Sequence, residues 1–430
     1  MSFKQHVLSG VKWTSVSSGI MALAQLLKVS ILTRFLDPSD FGLLAMAVFV
    51  LNFLKLFTDM GLSAAILHMQ KASRNEYASL YWINCLLGLV LFLLLWASSP
   101  LIANFYEESE LIIVIPLMGV TVLFSAIGGQ FKTIAQKNLK FREMAVVEIV
   151  ATSVGLLLSI LLAVYGFGVY SLAFSILLQS GIIHGYFLLS GLKRERVPFR
   201  FVYREVRPFL KIGIYRVGNQ ISNYFNRDVD ILIIGKLFGS EILGGYSLAK
   251  QFTYKPRQIV NPILMKVASP VLAKYQGDIV AIRNNYLKLV NVVASINIPI
   301  YIVLVVFAHP VINVLYGNDY LNIVFIVQIM SSVMIFRSIA SVVGSLVVAT
   351  GRTDVEFYWS TLLLLITPLA IWGGSFFGIN GIAVAILLLR FILFVPHWYL
   401  FIWKMIKVDL RTYLWYLIPS YKPFIAAIKR

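Results

Sequence analysis

The chain has 430 residues, 59% of them hydrophobic and only 13% charged, with a net charge of +18. Soluble domains are about half apolar and about a quarter charged, so an ordinary soluble globule is excluded. The basic residues sit mostly in short segments between apolar blocks, as orientation signals do, which excludes a nucleic-acid surface. The single cysteine, Cys85, excludes disulfides within the chain and cysteine-based metal clusters.

Taken in chain order, the apolar blocks predict twelve helices, near 13–34, 41–66, 79–103, 111–134, 144–165, 167–190, 209–235, 242–268, 286–308, 321–349, 356–378 and 380–403. A span needs about 20 mainly apolar residues to cross a hydrocarbon core about 30 Å thick. Backbone polar groups find no water there, so the blocks must be helical. The expected fold class is an all-α, polytopic membrane protein. The first block, 13–35, is longer than the apolar part of a signal peptide and precedes no small-residue cleavage site, so it reads as an uncleaved first helix.

Connections are short except for 191–208, which follows the sixth helix. The expected organisation is an N-terminal six-helix lobe (1–190), a basic linker (191–208), a C-terminal six-helix lobe (209–405) and a tail (406–430). The tail, from Asp409 on, reads as the start of a thirteenth helix interrupted by Pro419 and Pro423, either naturally short or incomplete at its C-terminus.

Charge is distributed unevenly between the two sides. One side collects Lys4, Lys12, Lys71, Arg74, Lys137, Lys140, Arg142, Lys193, Arg194, Arg196, Arg200, Arg204, Arg207, Lys274, Arg283, Arg352, Lys404, Lys407 and Arg411. The other has Glu107, Glu108, Glu110 and Asp319, with Arg34 and Lys236 at helix ends. The positive-inside rule therefore predicts cytoplasmic N- and C-termini.

An internal repeat supports the two lobes. Segment 36–47, LDPSDFGLLAMA, aligns at an offset of 202 with 238–249, FGSEILGGYSLA, setting Gly42 on Gly244 and Ala47 on Ala249. Both segments occupy the turn between the first two helices of their lobe, and parallel repeats are a known transporter architecture.

The predicted seventh helix carries Arg216, Gln220, Asn223, Arg227 and Asp230, spaced 4, 3, 4 and 3, on one face. At 1.5 Å per residue this stripe runs roughly 21 Å. The eighth helix has Ser247, Lys250, Tyr254, Arg257 and Asn261; the second has Asn52, Lys55 and Asp59; the first has Ser18, Gln25 and Lys28. The repeat offset superposes the polar faces of helices 1 and 2 on those of helices 7 and 8. Charge in mid-membrane must face water or a partner. Facing stripes predict a hydrated cavity, and its excess of cations predicts an anionic cargo, with arginine suited to diphosphate oxygens. A merely solvated vestibule is the alternative. Lys55 with Asp59 and Arg227 with Asp230 are equally readable as structural ion pairs.

Other features have plainer readings. Arg337 and Arg390 stand alone in their helices, where pairing or snorkelling is as good an account as substrate contact. The five histidines show no metal-ligand spacing and read as loop or helix-end residues, and Glu148 is expected to pair with a loop cation. Pro256, Pro262 and Pro270 make the eighth helix prone to a hinge or a static kink. There is no phosphate-binding glycine loop, no Ser/His/Asp constellation and no long outer loop to hold chemistry. The expectation is a non-enzyme without metal or cofactor.

The segments SGVKWTSVSS, ILTRFLDPSDFGLLAMA, LFTDMGLSAAI and NRDVDILIIGKLFGSEILGGYSLAKQF resemble the polysaccharide transporter branch of the multidrug/oligosaccharidyl-lipid/polysaccharide (MOP) exporter superfamily, in particular Wzx-like flippases of the colanic-acid exporter type. The resemblance implies two six-helix lobes around a central cleft and alternating access in a cytoplasmic (inner) membrane. The cargo it implies is an oligosaccharide on undecaprenyl diphosphate. Lumen cations are expected in such flippases, and Lys28, Lys55, Arg216, Arg227, Lys250 and Arg257 fit by position and sign as substrate-binding candidates. Asp59, Asp228 and Asp230 are candidates for ion coupling or structural pairing. Membrane lipids and the lipid-linked oligosaccharide are the expected partners, together with polysaccharide polymerase or glycosyltransferase components. The competing functions are a drug or cation exporter of the same superfamily, which calls for an acidic or aromatic cavity, and a membrane glycosyltransferase or polymerase, which calls for catalytic groups near a bilayer surface.

Overall fold

The computed structural model describes residues 3–58, 66, 73–194 and 198–420, and among them the backbone is helical with no strand. The helices are α1 (Phe3–Leu32), α2 (Pro38–Thr58), α3 (Arg74–Tyr106), α4 (Leu111–Lys137), α5 (Phe141–Val164) and α6 (Val169–Arg194). Next comes a long stretch, Tyr203–Lys274, whose one non-helical residue, Gly239 (φ 76°), divides it into α7 (203–238) and α8 (240–274). α9 (Ile279–Val306) leads through the short amphipathic helix Ala308–Tyr316 to α10 (Asn318–Thr350), α11 (Thr353–Ser375), α12 (Gly378–Ile406) and α13 (Leu410–Leu417).

Ten of these stretches are long and apolar enough to cross a membrane. One of them, Gln220–Pro262, is two helices on either side of Gly239, and Val16–Leu32 is a shorter apolar helix. The described residues therefore hold the twelve predicted spans. Local chemistry explains several ends. Ser73 and Glu76 form a reciprocal capping box at the start of α3, and Glu107 closes that helix in the left-handed region. Asp278 caps α9, accepting from Ala281 N. Asp409 caps α13 through Thr412 N at 2.8 Å, a bond that holds its carboxyl below the usual carboxylate range.

The chain forms two compact units, 1–244 and 245–430. In the first, α4 packs between α3 and α6, α5 packs on α6, α1 lies on α5, and α2 touches α4 and α6. Asn84 donates to the Ala126 carbonyl at 3.1 Å, and Lys132 of α4 pairs with Glu148 of α5 at 2.7 Å. Glu148 thus pairs within the helix bundle rather than with a loop cation. The described part of the linker is pinned on α3: Trp82 Nε1 donates to Pro198 O at 3.1 Å, and Val202 N to Ser79 Oγ at 3.1 Å. α7 belongs to this unit through its packing on α2. In the second unit α10 packs on α9 and α12, and α11 packs on α12. α13 docks on α9, whose Asn291 donates to the carbonyls of Tyr416 and Ile418. Leu365, Leu369 and Trp372 of α11 stay exposed, as expected of side chains that meet lipid tails.

Candidate functional site

The charged residues of the spanning helices do not share one environment. In the first unit Lys28 is buried among α1, α5 and α6, with 6% of its surface accessible. Its Nζ donates to Ser175 Oγ at 2.6 Å, Ser175 donates to the Gly155 carbonyl at 2.8 Å, and Gln179 Nε2 donates to Ser175 at 3.1 Å. The hydroxyl is thus a hub that accepts twice and donates once. Ser175→Ala leaves both the ammonium and the carbonyl short of a partner, at a cost of about 1–3 kcal/mol. The purified variant is expected to melt at lower temperature, and Lys28→Met on top of it to recover part of the loss, because the buried charge is gone. An unchanged melting point for Ser175→Ala would show that Lys28 is solvated by other means.

α2 and α7 cross through an aromatic layer. The Tyr224 hydroxyl donates to the Phe49 carbonyl, and the rings of Phe49 and Tyr224 lie 5.3 Å apart, those of Phe53 and Phe225 5.6 Å apart. Lys55 follows Phe53 of this layer by two residues along α2 and is exposed. Arg227 lies beyond it in the other direction. Its guanidinium makes two bonds to Asp228 Oδ2, at 2.7 and 2.8 Å, and sits over the Tyr224 ring. The ion pair shown for Arg227 is with its neighbour Asp228. Asp230 is buried, and its Oδ1 accepts from Ile231 N at 3.0 Å. Asp59 lies outside the described residues, and Arg216 outside the described side chains.

In the second unit the α8 stripe turns partly inward. Lys250 and Arg337 both lie over the Tyr254 ring, at 5.7 and 5.3 Å from its centroid. Asn261 donates to Ser338 O and Ser341 Oγ of α10 and accepts from Asn297 of α9. Arg257 is half-buried. The Tyr301 hydroxyl accepts from Arg257 N and donates to Thr253 O, each at 3.2 Å, bridging two groups one helical turn apart. Pro256 between them supplies no N–H, so an inserted hydroxyl here tethers α8 to α9. The backbone nevertheless stays helical at Pro256 and Pro262; the break is at Gly239.

Two of these participants were not assigned from sequence. Arg337 read as an isolated cation, yet it joins Lys250 around Tyr254; its pairing partner is some 80 positions away, beyond any helical periodicity. Tyr301 gave no signal, being an aromatic residue in an apolar helix. The reading of the histidines needs correction for two of them. His184 lies in mid-α6 against Gly128, and His397 lies within α12 beside Trp359 and Phe401. An imidazole is amphipathic enough to be packed inside a helix bundle, so its polarity does not require a loop.

The chain matches the family model described as polysaccharide biosynthesis protein over residues 31–325. It belongs to this family. It is 30% identical over 432 residues to the teichuronic acid biosynthesis protein TuaB of Bacillus subtilis (strain 168), covering 99% of this chain and 87% of that one. It is 27% identical over 418 residues to the lipopolysaccharide biosynthesis protein WzxC of Escherichia coli (strain K12), covering 96% and 84%. Its fold is that of the lipid II flippase MurJ in an inward closed conformation, with TM-score 0.78 at 17% identity over 97% of this chain and 93% of that one. This polysaccharide biosynthesis protein is thus an all-α membrane protein with the fold of that flippase.

Proposed function

We propose that the chain is a flippase that carries an oligosaccharide on undecaprenyl diphosphate across the cytoplasmic membrane by alternating access. The observation that carries this reading is cationic side chains inside spanning helices of a polysaccharide biosynthesis protein with a flippase fold. Lys55, Arg216, Arg227, Lys250 and Arg257 are the residues assigned to the anionic cargo, Lys28 being held by Ser175 inside the first unit, and Arg337 joins them through its place beside Lys250. A diphosphate is the anion that planar guanidinium groups grip best, and low-dielectric surroundings strengthen the attraction. Sugars need only hydrogen-bonding surfaces, and the lipid tail stays in the bilayer. No covalent bond is made or broken, so the protein is a transporter rather than an enzyme. Asp59, Asp228 and Asp230 are assigned to ion coupling or to pairing with the cations.

The test is complementation of a strain that lacks its own flippase. Expression should restore surface polysaccharide and clear the accumulated lipid-linked precursor; a precursor pool that stays accumulated at normal protein abundance would refute the cargo assignment. Orientation is tested with reporter fusions. Fusions at Glu108 and Asn318 should read as extracytoplasmic and one at Arg200 as cytoplasmic, and a reversal at any of the three would break the assigned topology.

A further inference from the structure

The chain between α6 and α7 is fastened to α3 in a way that leaves aromatic rings uncovered. Trp82 Nε1 donates to Pro198 O at 3.1 Å, Arg200 N donates to the same carbonyl at 2.9 Å, and Val202 N donates to Ser79 Oγ at 3.1 Å. The bond from Arg200 N closes a three-residue turn centred on Phe199. The Phe199 ring meets Trp82 edge-on, 4.7 Å between centroids, yet the residue is 90% exposed. Phe201 and Tyr203, two and four positions on, are exposed as well. Three hydrogen bonds thus hold these rings open instead of folding them away.

Trp82 stands at the foot of a lipid-facing stripe on α3. Leu86, Leu89, Leu93 and Trp96 follow it at spacings of 4, 3, 4 and 3, and all four are exposed. At 1.5 Å per residue the stripe runs roughly 21 Å, most of a hydrocarbon core about 30 Å thick. Leucines between two tryptophans are the pattern of a membrane face with an aromatic residue near each interface. Phe199, packed on Trp82, therefore lies where lipid chains meet headgroups. Cations flank it in the chain: Lys193 at the end of α6, and Arg204 and Arg207, three apart in the first two turns of α7, all exposed.

We propose that residues 198–207 form an interfacial anchor that holds an anionic phospholipid of the cytoplasmic leaflet. Phe199 and Phe201 enter between acyl chains, and Lys193, Arg204 and Arg207 take the headgroup phosphate. The negative surface of that leaflet attracts basic segments beside a span, each Lys or Arg contributing about fivefold in affinity. An acidic protein or a nucleic acid would answer the charges but not the phenylalanines at the foot of a lipid-facing stripe. The chain thus enters α7 from a point tied to the membrane. The anchor shares with the flippase reading only the cytoplasmic placement of this segment, and it holds for any cargo.

The test uses the full chain in a Cys85→Ser background, reconstituted into phosphatidylcholine vesicles with and without phosphatidylglycerol. A fluorophore attached through Phe199→Cys should be quenched by lipids brominated near the headgroup end of their acyl chains, and more so with phosphatidylglycerol present. One attached through Gln276→Cys, exposed in the turn after α8, should be quenched much less. Equal quenching at the two sites overturns the proposal. In detergent, added phosphatidylglycerol should raise the unfolding midpoint and phosphatidylcholine should not. Arg204→Gln combined with Arg207→Gln should raise the phosphatidylglycerol concentration for half that shift roughly thirtyfold, two fivefold effects together. A parental titration in the double variant, or an equal response to phosphatidylcholine, overturns the headgroup assignment. If the double variant fails to accumulate, the response of Phe199→Cys quenching to phosphatidylglycerol decides alone, and no response overturns it. A reporter at Arg200 that reads as extracytoplasmic would overturn the choice of leaflet. If the anchor behaves as expected but the parent protein complements no flippase-deficient strain, the anchor stands and the cargo assignment falls.

Discussion

Arg257→Gln should lower polysaccharide export about ten- to a hundredfold at unchanged membrane abundance, the equivalent of one charge-assisted contact of about 1.5–3 kcal/mol. Arg257→Lys should keep part of the activity, because it retains charge while losing the planar two-pronged donor. The structure sharpens this expectation, since the Arg257 backbone is tethered through Tyr301 to Thr253. Tyr301→Phe removes the tether without touching charge. It should weaken export less than Arg257→Gln, and Arg257→Lys should lose its residual activity when combined with it. Neutralising Arg200, exposed in the linker, should leave export unchanged. Complementation with membrane abundance measured alongside separates the outcomes: normal export by Arg257→Gln at normal abundance would remove this residue from the cargo path.

The largest expected effect on stability comes from one of two adjacent glycines. Gly128→Ala should destabilise the first unit by about 1–3 kcal/mol, because the new Cβ would collide with the backbone carbonyl and Cβ of His184 across the α4–α6 interface. Neither helix can yield easily, since both pack on other helices of the unit. Gly129 has open space where a Cβ would go. Gly129→Ala should be neutral or stabilising by about 0.5–1 kcal/mol through lower backbone entropy in the unfolded chain. Thermal unfolding of the purified variants checks the contrast, and equal midpoints for the two would mean that α4 and α6 do not approach as described.

The number and placement of the spans were legible in the sequence, including the short first helix and the separation of α7 from α8. Hydropathy is a sum over neighbouring residues, and a segment without water around it has to be helical whatever it packs against. The periodicity of the polar stripes was legible for the same reason, because 3.6 residues per turn is a local property. Which way each stripe faces was decided only by the tertiary structure. Lys28 and Asn261 lie on stripes of the same kind as Lys55 and Arg227, yet they are buried against Ser175 and against Ser338 and Ser341, while Lys55 and Arg227 stay exposed. A polar group in the membrane must find a partner, but periodicity cannot say whether that partner is water or a helix distant in sequence. The repeat shows the same division. Its offset was readable from one glycine pair and one alanine pair, whereas the meeting of Gly42 with Ser240 and of Gly244 with Pro38 depends on how α2 and α8 begin in space, and only packing determines that.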